Sequence, residues 1–388
     1  MRVLFLNHNV VESGTFFRAF HFARQLVTRG CRVTLVTTSR AARLRGCSYE
    51  RDGVEIFEAP DWLTGRARNG WDPYNTWVRR AFVRRHTYDI VHAFDSRPAV
   101  IHPALSAAAR KTTTFVMDWA DWWGKGGWIQ ERSGWLVRNT VGPVEAWYEE
   151  AFRMRAHGMT VASRALAERS AALGIAAERI ELLPGGCEAQ EVRWPARADA
   201  RCQLGISPQV PLVLHIGVLT PGDYAYLRET FGHVRRNNPH AVLVLAGRTG
   251  IRVARSDPEI GASATGEIED ATMRAWLAAA DVCVVACRDT IGNRGRWPSK
   301  VNDYLAASRA VVMPRVSDAA ALIEAAAAGW TTDASANAFG AGIVHALASR
   351  AEADAAGERR RRAAEGELAW PRLTDRLVSF YDRITGLR

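Results

Sequence analysis

The chain has 388 residues, enough to bury two hydrophobic cores, so we expect two domains. With 48% hydrophobic and 24% charged residues, its composition is globular and argues against a disordered or fibrous chain. The formal net charge is +10, yet no basic stretch is interleaved with aromatic residues as in nucleic-acid motifs, so we expect no nucleic-acid partner. The run 359–362 reads as a solvated helix face, and attraction to anionic donors or a membrane surface stays open.

The six cysteines are scattered and form no Cys-x-x-Cys pair, which argues against structural zinc and indicates a reducing compartment. The start, MRVLFLNHNV, reads as a strand, because it lacks the apolar region and cleavage site of a signal peptide. No apolar run approaches the length of a membrane span. The expected location is the cytoplasm, with peripheral attachment at the inner membrane face as an open alternative.

The chain begins with a strand–helix–strand pattern. A buried strand is predicted at 3–6, apolar residues then recur at helical spacing over 16–27, and CRVTLVTT forms the next strand. The intervening loop, NHNVVESGT, has a single glycine and no GxGxxG fingerprint, so a dinucleotide site is not indicated. Loops at this end of a parallel sheet bind ligands, which makes Gly14 and Thr15 candidates for acceptor binding.

The same pattern continues along the chain and restarts in its second half. Apolar runs predict further strands at 53–57, 89–93, 113–117, 158–162, 212–216, 242–246, 282–286 and 311–312. A Pro-, Gly- and polar-rich stretch at 185–211 reads as a linker. The last segment is amphipathic, with Leu373, Leu377, Phe380 and Tyr381 on one side. We predict an α/β protein of two Rossmann-like, doubly wound domains, 1–190 and 191–369, followed by a terminal helix at 370–388.

The segment 281–312 carries the strongest chemical signal. Its loop, 288–297, holds Asp289, Asn293, Arg294 and Arg296, and Pro298 suits the first position of a helix. A helix start offers free N–H groups to a phosphate, and Ser299 and Lys300 follow in that turn. Lys300 adds a cation, and Asp303 adds a carboxylate for paired sugar hydroxyls. These parts suit a nucleotide diphosphate-sugar; the alternative is an ordinary crossover with solvated charges.

The motif P-x-K-x-x-D-Y-L-A after a strand D-V-x-V resembles the donor site of nucleotide-sugar glycosyltransferases of the GT-B fold, in particular retaining glycosyltransferase family four. The resemblance implies two domains facing across a cleft, the first binding acceptor and the second donor, with a terminal helix crossing back. Asp303 falls on the second acidic residue of the family's Glu-x7-Glu motif. Gly295 stands near its first Glu, and the Gly-x5-Lys element appears as Gly217 to Asp223, without the lysine.

Glycosyl transfer needs positive charge to stabilise the departing phosphate. The resemblance implies that arginine and lysine supply it without a metal or other cofactor, the co-substrate being a nucleotide-sugar, with a UDP-sugar expected. Lys300 and Arg248 are the first choices for this charge. The candidate donor-binding residues are Gly217, Arg248, Arg294, Arg296, Ser299, Lys300 and Asp303. For Arg248 a plain surface turn is the alternative.

Tryptophan is concentrated in the first half, where nine of the 14 lie between Trp62 and Trp147. Trp119, Trp122 and Trp123 follow a strand and are succeeded by glycines, which indicates a loop. Flat indole rings can stack on a sugar, an aromatic group or lipid headgroups, so these three are candidates for acceptor binding. The alternative is packing within the core.

A general base would come from the first domain. His92 and Asp95 in VHAFDS, and Asp118 and Asp121 in MDWADWW, stand near predicted strand ends. An aspartate beside indole rings loses hydration, which favours proton abstraction. His92, Asp118 and Asp121 are therefore the candidate catalytic residues. A satisfied strand-end histidine and capping aspartates are the alternatives.

The main hypothesis is a glycosyltransferase that moves a sugar from a nucleotide-sugar to a small-molecule or lipid acceptor, with retention if it follows the family. A nucleotide-sugar epimerase or hydrolase is an alternative, although the tryptophan-rich half argues against it. A catalytically degenerate subunit that binds a partner glycosyltransferase is another, motivated by the missing Glu and Lys.

Overall fold

The computed structural model describes residues 1–63, 70–131, 134–188, 193–250 and 256–386. The chain divides into two compact units, the first comprising Met1–Pro184 and Trp370–Arg388 and the second Gly185–Ala369. The boundary predicted between 190 and 191 lies outside the described residues.

The first unit is built on an eight-stranded sheet in the order β3-β4-β2-β1-β5-β6-β7-β8. Its strands are β1 (Arg2–Val10), β2 (Arg32–Thr38), β3 (Cys47–Arg51), β4 (Val54–Ala59), β5 (Ile90–Phe94), β6 (Thr114–Trp119), β7 (Gly158–Val161) and β8 (Ile180–Leu182). All neighbours are parallel except β3, which pairs antiparallel with β4. The interior strands are almost wholly buried, as expected for a parallel sheet covered on both faces.

Helices connect these strands. They are α1 (Phe16–Val27), α2 (Pro73–Val83), α3 (Pro98–Ala107), α4 (Trp135–Ala151) and α5 (Arg164–Ala172), with 3-10 turns at Trp128–Glu131, Arg153–Arg155 and Ala177–Arg179. Local sequence explains several starts: Asp72 caps α2 by accepting from the N–H groups of Tyr74 and Asn75, and Ser163 caps α5.

The second unit repeats the architecture with a seven-stranded sheet in the order β11-β12-β10-β9-β13-β14-β15. Its strands are β9 (Leu212–Ile216), β10 (Val242–Ala246), β11 (Ser256–Asp257), β12 (Ala262–Gly266), β13 (Val282–Val284), β14 (Ala310–Pro314) and β15 (Gly329–Thr332). Only the pairing of β11 with β12 is antiparallel among those described. The α/β class and the two Rossmann-like sheets predicted from the sequence are confirmed.

The helices of the second unit are α6 (Arg197–Gln203), α7 (Pro221–Asn237), α8 (Asp270–Ala279), α9 (Ile291–Arg294), α10 (Lys300–Ala306), α11 (Asp318–Ala325), α12 (Ala336–Ala348), α13 (Arg350–Ala355) and α14 (Gly357–Glu365). The chain ends with α15 (Trp370–Gly386). Its apolar stripe, including the fully buried Leu373, Leu377 and Phe380, packs in the core of the first unit against α1.

Strand order fixes where each unit can bind a ligand. In the first sheet the chain passes from β1 to β2 on one side, and β5 lies on the other side of β1. In the second sheet β10 and β13 flank β9 in the same way. Each reversal leaves a crevice at the carboxyl ends of two central strands, the usual ligand position in such sheets. The crevices lie beside β1 and β5 in the first unit, and beside β9 and β13 in the second.

Candidate functional site

In the second unit, the crevice beside β9 and β13 is bordered by the turn after β9. Gly217 follows β9 directly and has a φ of +73°, a left-handed conformation that glycine adopts without steric cost. Its N–H donates to the carbonyl of Ala246 at 2.9 Å. The turn therefore leaves the sheet sharply, and α7 begins only four residues later, at Pro221.

Lys300, the first residue of α10, reaches this crevice. Its Nζ lies 3.2 Å from Nε2 of His215 and 3.2 Å from the carbonyl oxygen of Val218. His215 Nδ1 is 3.0 Å from the carbonyl oxygen of Val284, so Nδ1 carries the proton and Nε2 accepts from the ammonium. Burial, reinforced by Lys300, lowers the pKa of His215 well below its usual value and keeps the ring neutral. His215 thus holds Lys300 in place.

Burial also changes Lys300 itself. It lowers the pKa of the ammonium to about 7, with further help from the positive charge of Arg296 and opposition from Asp223. The lysine therefore titrates near neutrality. A phosphate bound at the crevice would favour the charged form, because an opposite charge nearby stabilises it.

Asp223, in the first turn of α7, lies at the centre of the charged residues in this crevice. Its side chain is only 2% exposed. Nε of Arg288 donates to Oδ1 at 3.2 Å, and NH2 of Arg296 lies 3.9 Å from Oδ2. Asn293 Nδ2 bridges Asp223 Oδ1 at 3.4 Å and the carbonyl of Arg288 at 2.8 Å. The carboxylate at the start of α7 thus positions the cations of the loop after β13.

Asp223 is not among the residues predicted to bind the donor, although its position in the sequence could have indicated a role. Asp223 is the sixth residue after Gly217, the position at which the resembled pattern has its lysine. The sequence alone suggested a lost cation. The structure shows an anion there that is paired with two cations instead.

The other predicted donor residues lie at the surface of the second unit. Arg294 forms a two-point ion pair with Asp289, at 2.6 and 2.7 Å, with both side chains about half exposed. Arg248, Ser299 and Asp303 are exposed. The helix predicted to start at Pro298 instead begins at Lys300, and Ser299 makes no side-chain cap. Of the predicted cations, the structure brings together Lys300 and Arg296.

In the first unit, two of the predicted catalytic residues lie in the interior. His92 is 1% exposed, with Nδ1 2.7 Å from the hydroxyl of Tyr381 and Nε2 3.0 Å from that of Thr160. Burial lowers the pKa of His92 to about 3, against the opposing effect of Asp118. A proton acceptor must be within hydrogen-bond reach of its substrate. We therefore assign His92 to the core, where both nitrogens are already bonded.

Asp118 belongs to the same buried network. Its Oδ1 accepts from NH2 of Arg18 at 2.9 Å and from the hydroxyl of Thr160 at 2.5 Å, and the residue is 2% exposed. Such an ion pair fixes the end of β6 on α1. The third predicted catalytic residue, Asp121, lies beyond β6 and is half-buried.

The predicted tryptophan group divides into a core residue and two at the surface. Trp119 is 2% exposed, donates from Nε1 to Glu149 at 3.0 Å and packs under the guanidinium of Arg153. Its predicted role in acceptor binding is not supported, because the ring is enclosed by the fold. Trp122 is half-buried, and Trp123 is 37% exposed.

Glu149, on α4, secures this loop and was not recognised in the sequence, since it lies far along the chain. Its carboxylate accepts from Nε1 of Trp119, from the N–H of Trp123 at 2.8 Å and from the N–H of Gly124. Burial raises its pKa to about 7, with Arg153 opposing. One carboxylate thus fixes the start of the loop that carries Trp122 and Trp123.

Gly14 and Thr15 form a tight turn near the carboxyl end of β1. Gly14 has a φ of +57°, and a Cβ there would lie 2.7 Å from Nδ2 of Asn9. The Thr15 hydroxyl donates to Oδ1 of Asn9 at 2.6 Å and accepts from Nδ2 of Asn7 at 2.5 Å. The turn is therefore held by side chains of β1, and the hydroxyl is already engaged.

Another titratable pair lies at this edge of the first sheet. His8, near the end of β1, contacts Asp95, the residue that follows β5. Both strands border the crevice of the first unit. Asp95 had been considered from the sequence, whereas His8 had not, since nothing in MRVLFLNHNV marks its partner.

A large apolar surface occurs on α4. Trp135, Leu136 and Trp147 are 70%, 65% and 57% exposed. Soluble proteins rarely leave several such side chains exposed on one helix, and such patches mark interaction sites. Within the described ranges, no helix is long and apolar enough to cross a membrane. No three His, Cys, Asp or Glu side chains among those residues are grouped to hold a metal ion.

Two family models match most of the chain. Residues 14–186 match a model described as a glycosyl transferase 4-like domain, and residues 210–349 match one described as glycosyl transferases group 1. No protein of curated function matches the chain by sequence.

Several solved structures share the fold over nearly the full length. Sucrose-phosphate synthase from Thermosynechococcus elongatus is 15% identical with a TM-score of 0.75, covering 100% of both chains. WaaG, a glycosyltransferase involved in lipopolysaccharide biosynthesis, is 17% identical with a TM-score of 0.68, covering 95% of this chain and 97% of its own. The Anabaena protein HepE, in complex with UDP and glucose, is 14% identical with a TM-score of 0.67, covering 98% of both.

Proposed function

We propose, from the premise that this chain belongs to the GT-B glycosyltransferases of the glycosyltransferase-4-like type, that it transfers a sugar from a nucleoside diphosphate-sugar to an acceptor hydroxyl. The observation that carries the proposal is the cation cluster in the crevice of the second unit. There Lys300 is held by His215 beside Arg296, at the strand ends where such sheets bind ligands.

The chemistry follows from that charge. The bond between the anomeric carbon and the diphosphate oxygen breaks, and its electron pair goes to the diphosphate. The acceptor oxygen forms the new bond to the anomeric carbon, and its proton passes to an oxygen of the departing diphosphate. Lys300 and Arg296 are fixed before the reaction, so they stabilise the charge that develops on the leaving group. We propose that these cations serve without a metal ion and that the anomeric configuration is retained.

For the donor we propose a UDP-sugar. HepE, which shares the fold, was solved with UDP and glucose and with UDP-glucose. In this chain Asp303 lies one turn into α10 from Lys300. That spacing lets Asp303 accept hydrogen bonds from ribose hydroxyls while Lys300 contacts phosphate.

For the acceptor we propose a small molecule or lipid that contacts the first unit. Trp122 and Trp123 offer partly exposed rings for stacking on a sugar or aromatic group. The His8–Asp95 pair provides a polar point at the sheet edge for the reacting hydroxyl. Trp122 and Trp123 follow β6, and the His8–Asp95 pair lies near the carboxyl ends of β1 and β5.

We further propose peripheral contact with the cytoplasmic face of an anionic membrane through α4. Its exposed Trp135 and Leu136 can enter the headgroup region, and the adjacent exposed Arg138 can pair with lipid phosphates. Sedimentation with phosphatidylglycerol vesicles tests this. Trp135→Ser should reduce binding, whereas equal binding of both proteins would contradict the assignment to α4.

The function itself is tested by thermal shift with UDP, GDP, TDP and ADP, each with and without magnesium. A ligand at a hundredfold its Kd stabilises by about 2.7 kcal/mol, which is readily measured. One diphosphate should raise Tm equally in both conditions. The matching nucleotide-sugar should then release that diphosphate, and NMR of the product anomer decides retention. No response to any nucleotide would favour a subunit without donor binding.

A further inference from the structure

We infer that Asp223 holds Arg288 and Arg296 as a cation pair for the diphosphate of the donor, in place of the lysine expected at position 223. The inference rests on the proposed function and adds two residues, Asp223 and Arg288, to the donor site. The positive charge that contacts the diphosphate would then come from the loop after β13, and not from the helix after β9.

The topology places the three residues on both sides of one crevice. Asp223 lies in the first turn of α7, which follows β9, while the two arginines lie in 288–297, which follows β13. These strands are neighbours in the sheet. A carboxylate on one side therefore fixes two long side chains from the other, which would otherwise lose much rotamer freedom on binding a ligand.

Charge and exposure both suit an anion. Arg288 and Arg296 both face the buried carboxylate of Asp223, and the positive charge of Arg296 also acts on Lys300. The arginine side chains are 29% and 21% exposed, whereas that of Asp223 is 2% exposed. A ligand entering the crevice would thus meet guanidinium groups before the carboxylate. Planar guanidinium groups match the geometry of phosphate oxygens.

Gly222 provides a second observation on the position of Arg288. A Cβ at this position would lie 2.3 Å from Cζ of Arg288. The φ of Gly222 is not in the left-handed region, so its backbone does not require glycine. A Cβ there would instead have to displace the guanidinium of Arg288 from its present position. The sequence Gly222-Asp223 therefore supplies both the space and the charge that position Arg288.

A titration of binding separates phosphate contacts from contacts to the rest of the nucleotide. We would measure Kd by calorimetry for UDP, UMP and uridine with wild type, Arg288→Ala and Arg296→Ala. Each variant should weaken UDP binding by about 10- to 100-fold, as for loss of a charged hydrogen bond, and change uridine binding by less than about twofold. Arg228→Ala, which removes an arginine of α7 that is paired at the surface with Asp257 and Glu259, is the matched control and should bind UDP like wild type.

Gly222→Ala tests positioning without removing any charge. The added methyl should displace Arg288 and weaken UDP binding about as much as Arg288→Ala does, and the double variant should bind no more weakly than either single one. Unchanged UDP binding in Gly222→Ala and Arg288→Ala would overturn the inference. The inference would also be overturned if the losses of binding free energy in the two single variants added up in the double variant.

The outcome also distinguishes this inference from the proposed function. If wild type binds none of UDP, GDP, TDP and ADP, the nucleotide-sugar function fails, and inorganic pyrophosphate becomes the probe. Pyrophosphate binding that is lost in Arg288→Ala but kept in Arg228→Ala would still support the cation pair. Absence of pyrophosphate binding to wild type would refute it. Circular dichroism of each variant confirms that it is folded.

Discussion

Nδ1 of His8 in β1 lies 2.9 Å from Oδ2 of Asp95, which follows β5, although α1, β2, β3, β4 and α2 separate the two strands along the chain. Asp95 has a φ of +112°, a conformation uncommon for a residue other than glycine and frequent at functional sites. Burial alone would raise the pKa of Asp95, but His8 and Arg97 hold it below its usual range. An ionised carboxylate this close to Nδ1 favours the tautomer in which Nδ1 carries the proton and Nε2 of His8 is an acceptor.

We expect Asp95→Asn to impair transfer without affecting donor binding. An amide can donate to Nδ1 and so favour the wrong tautomer, in which Nε2 carries the proton. Release of the diphosphate from the nucleotide-sugar should fall by about a hundredfold or more, as for other His–Asp pairs, while Kd for UDP stays within about twofold. Equal turnover of variant and wild type would show that the His8–Asp95 pair does not act at the acceptor site.

Lys300 predicts a pH dependence of donor binding. Its pKa, lowered to about 7 by burial, means that the free enzyme loses the ammonium charge as pH rises above 7. Phosphate groups are already ionised there, so Kd for UDP should increase between pH 7 and 9, by up to about tenfold per pH unit. Lys300→Arg keeps its charge and should show a flat profile. A wild-type profile that is flat, or one that Lys300→Arg reproduces, would contradict the role of Lys300.

Much of the fold was predictable because buried parallel strands are apolar runs. The strands predicted at 212–216 and 242–246 coincide with β9 and β10. Strand β3 was missed, and its five residues are all exposed, so no apolar pattern marks them. Strand β12 was missed for a similar reason, since most of its residues are only partly buried.

The candidate site was less predictable, because its chemistry depends on contacts between distant residues. Lys300 was found from its motif, whereas His215, which holds it, looks like any strand residue in LVLHI. In the sequence, Asp223 marks only a missing lysine, and its contacts with Arg288 and Arg296 are visible only in the structure. His92 looked exposed at a strand end, but α15 brings Tyr381 against it from the far end of the chain.

The buried His92 predicts a loss of stability in acid. Its pKa of about 3 lies below the unfolded value near 6.5, so unfolding takes up a proton below pH 6.5. The contribution of His92 to the free energy of unfolding should therefore be complete above pH 6.5. It should fall by about 1.4 kcal/mol per pH unit as pH decreases toward 3.

His92→Gln, measured by urea unfolding at pH 7, 6 and 5, isolates this contribution. The amide can still bond Tyr381 and Thr160 but does not titrate in this range. The variant should be less stable than wild type at pH 7 and should lose stability less steeply below it. His8, His102 and His215, whose pKa values burial also lowers, contribute to the slope that remains. An unchanged slope would show that the pKa of His92 is the same in the folded and unfolded states.

Glu149 should be the main support of the tryptophan loop. In Glu149→Gln the side chain keeps one acceptor oxygen for three donors, Nε1 of Trp119 and the N–H groups of Trp123 and Gly124. Leaving a buried donor unpaired costs about 1–3 kcal/mol. We therefore expect a loss of that size in urea unfolding, with a red shift of tryptophan fluorescence as Trp123 becomes more mobile.

Glu150→Gln, which breaks a partly exposed ion pair to Arg169, is the neighbouring control and should cost less than about 1 kcal/mol. If both variants lost equal stability and neither changed the fluorescence, the loop would be held by packing of Trp119 alone.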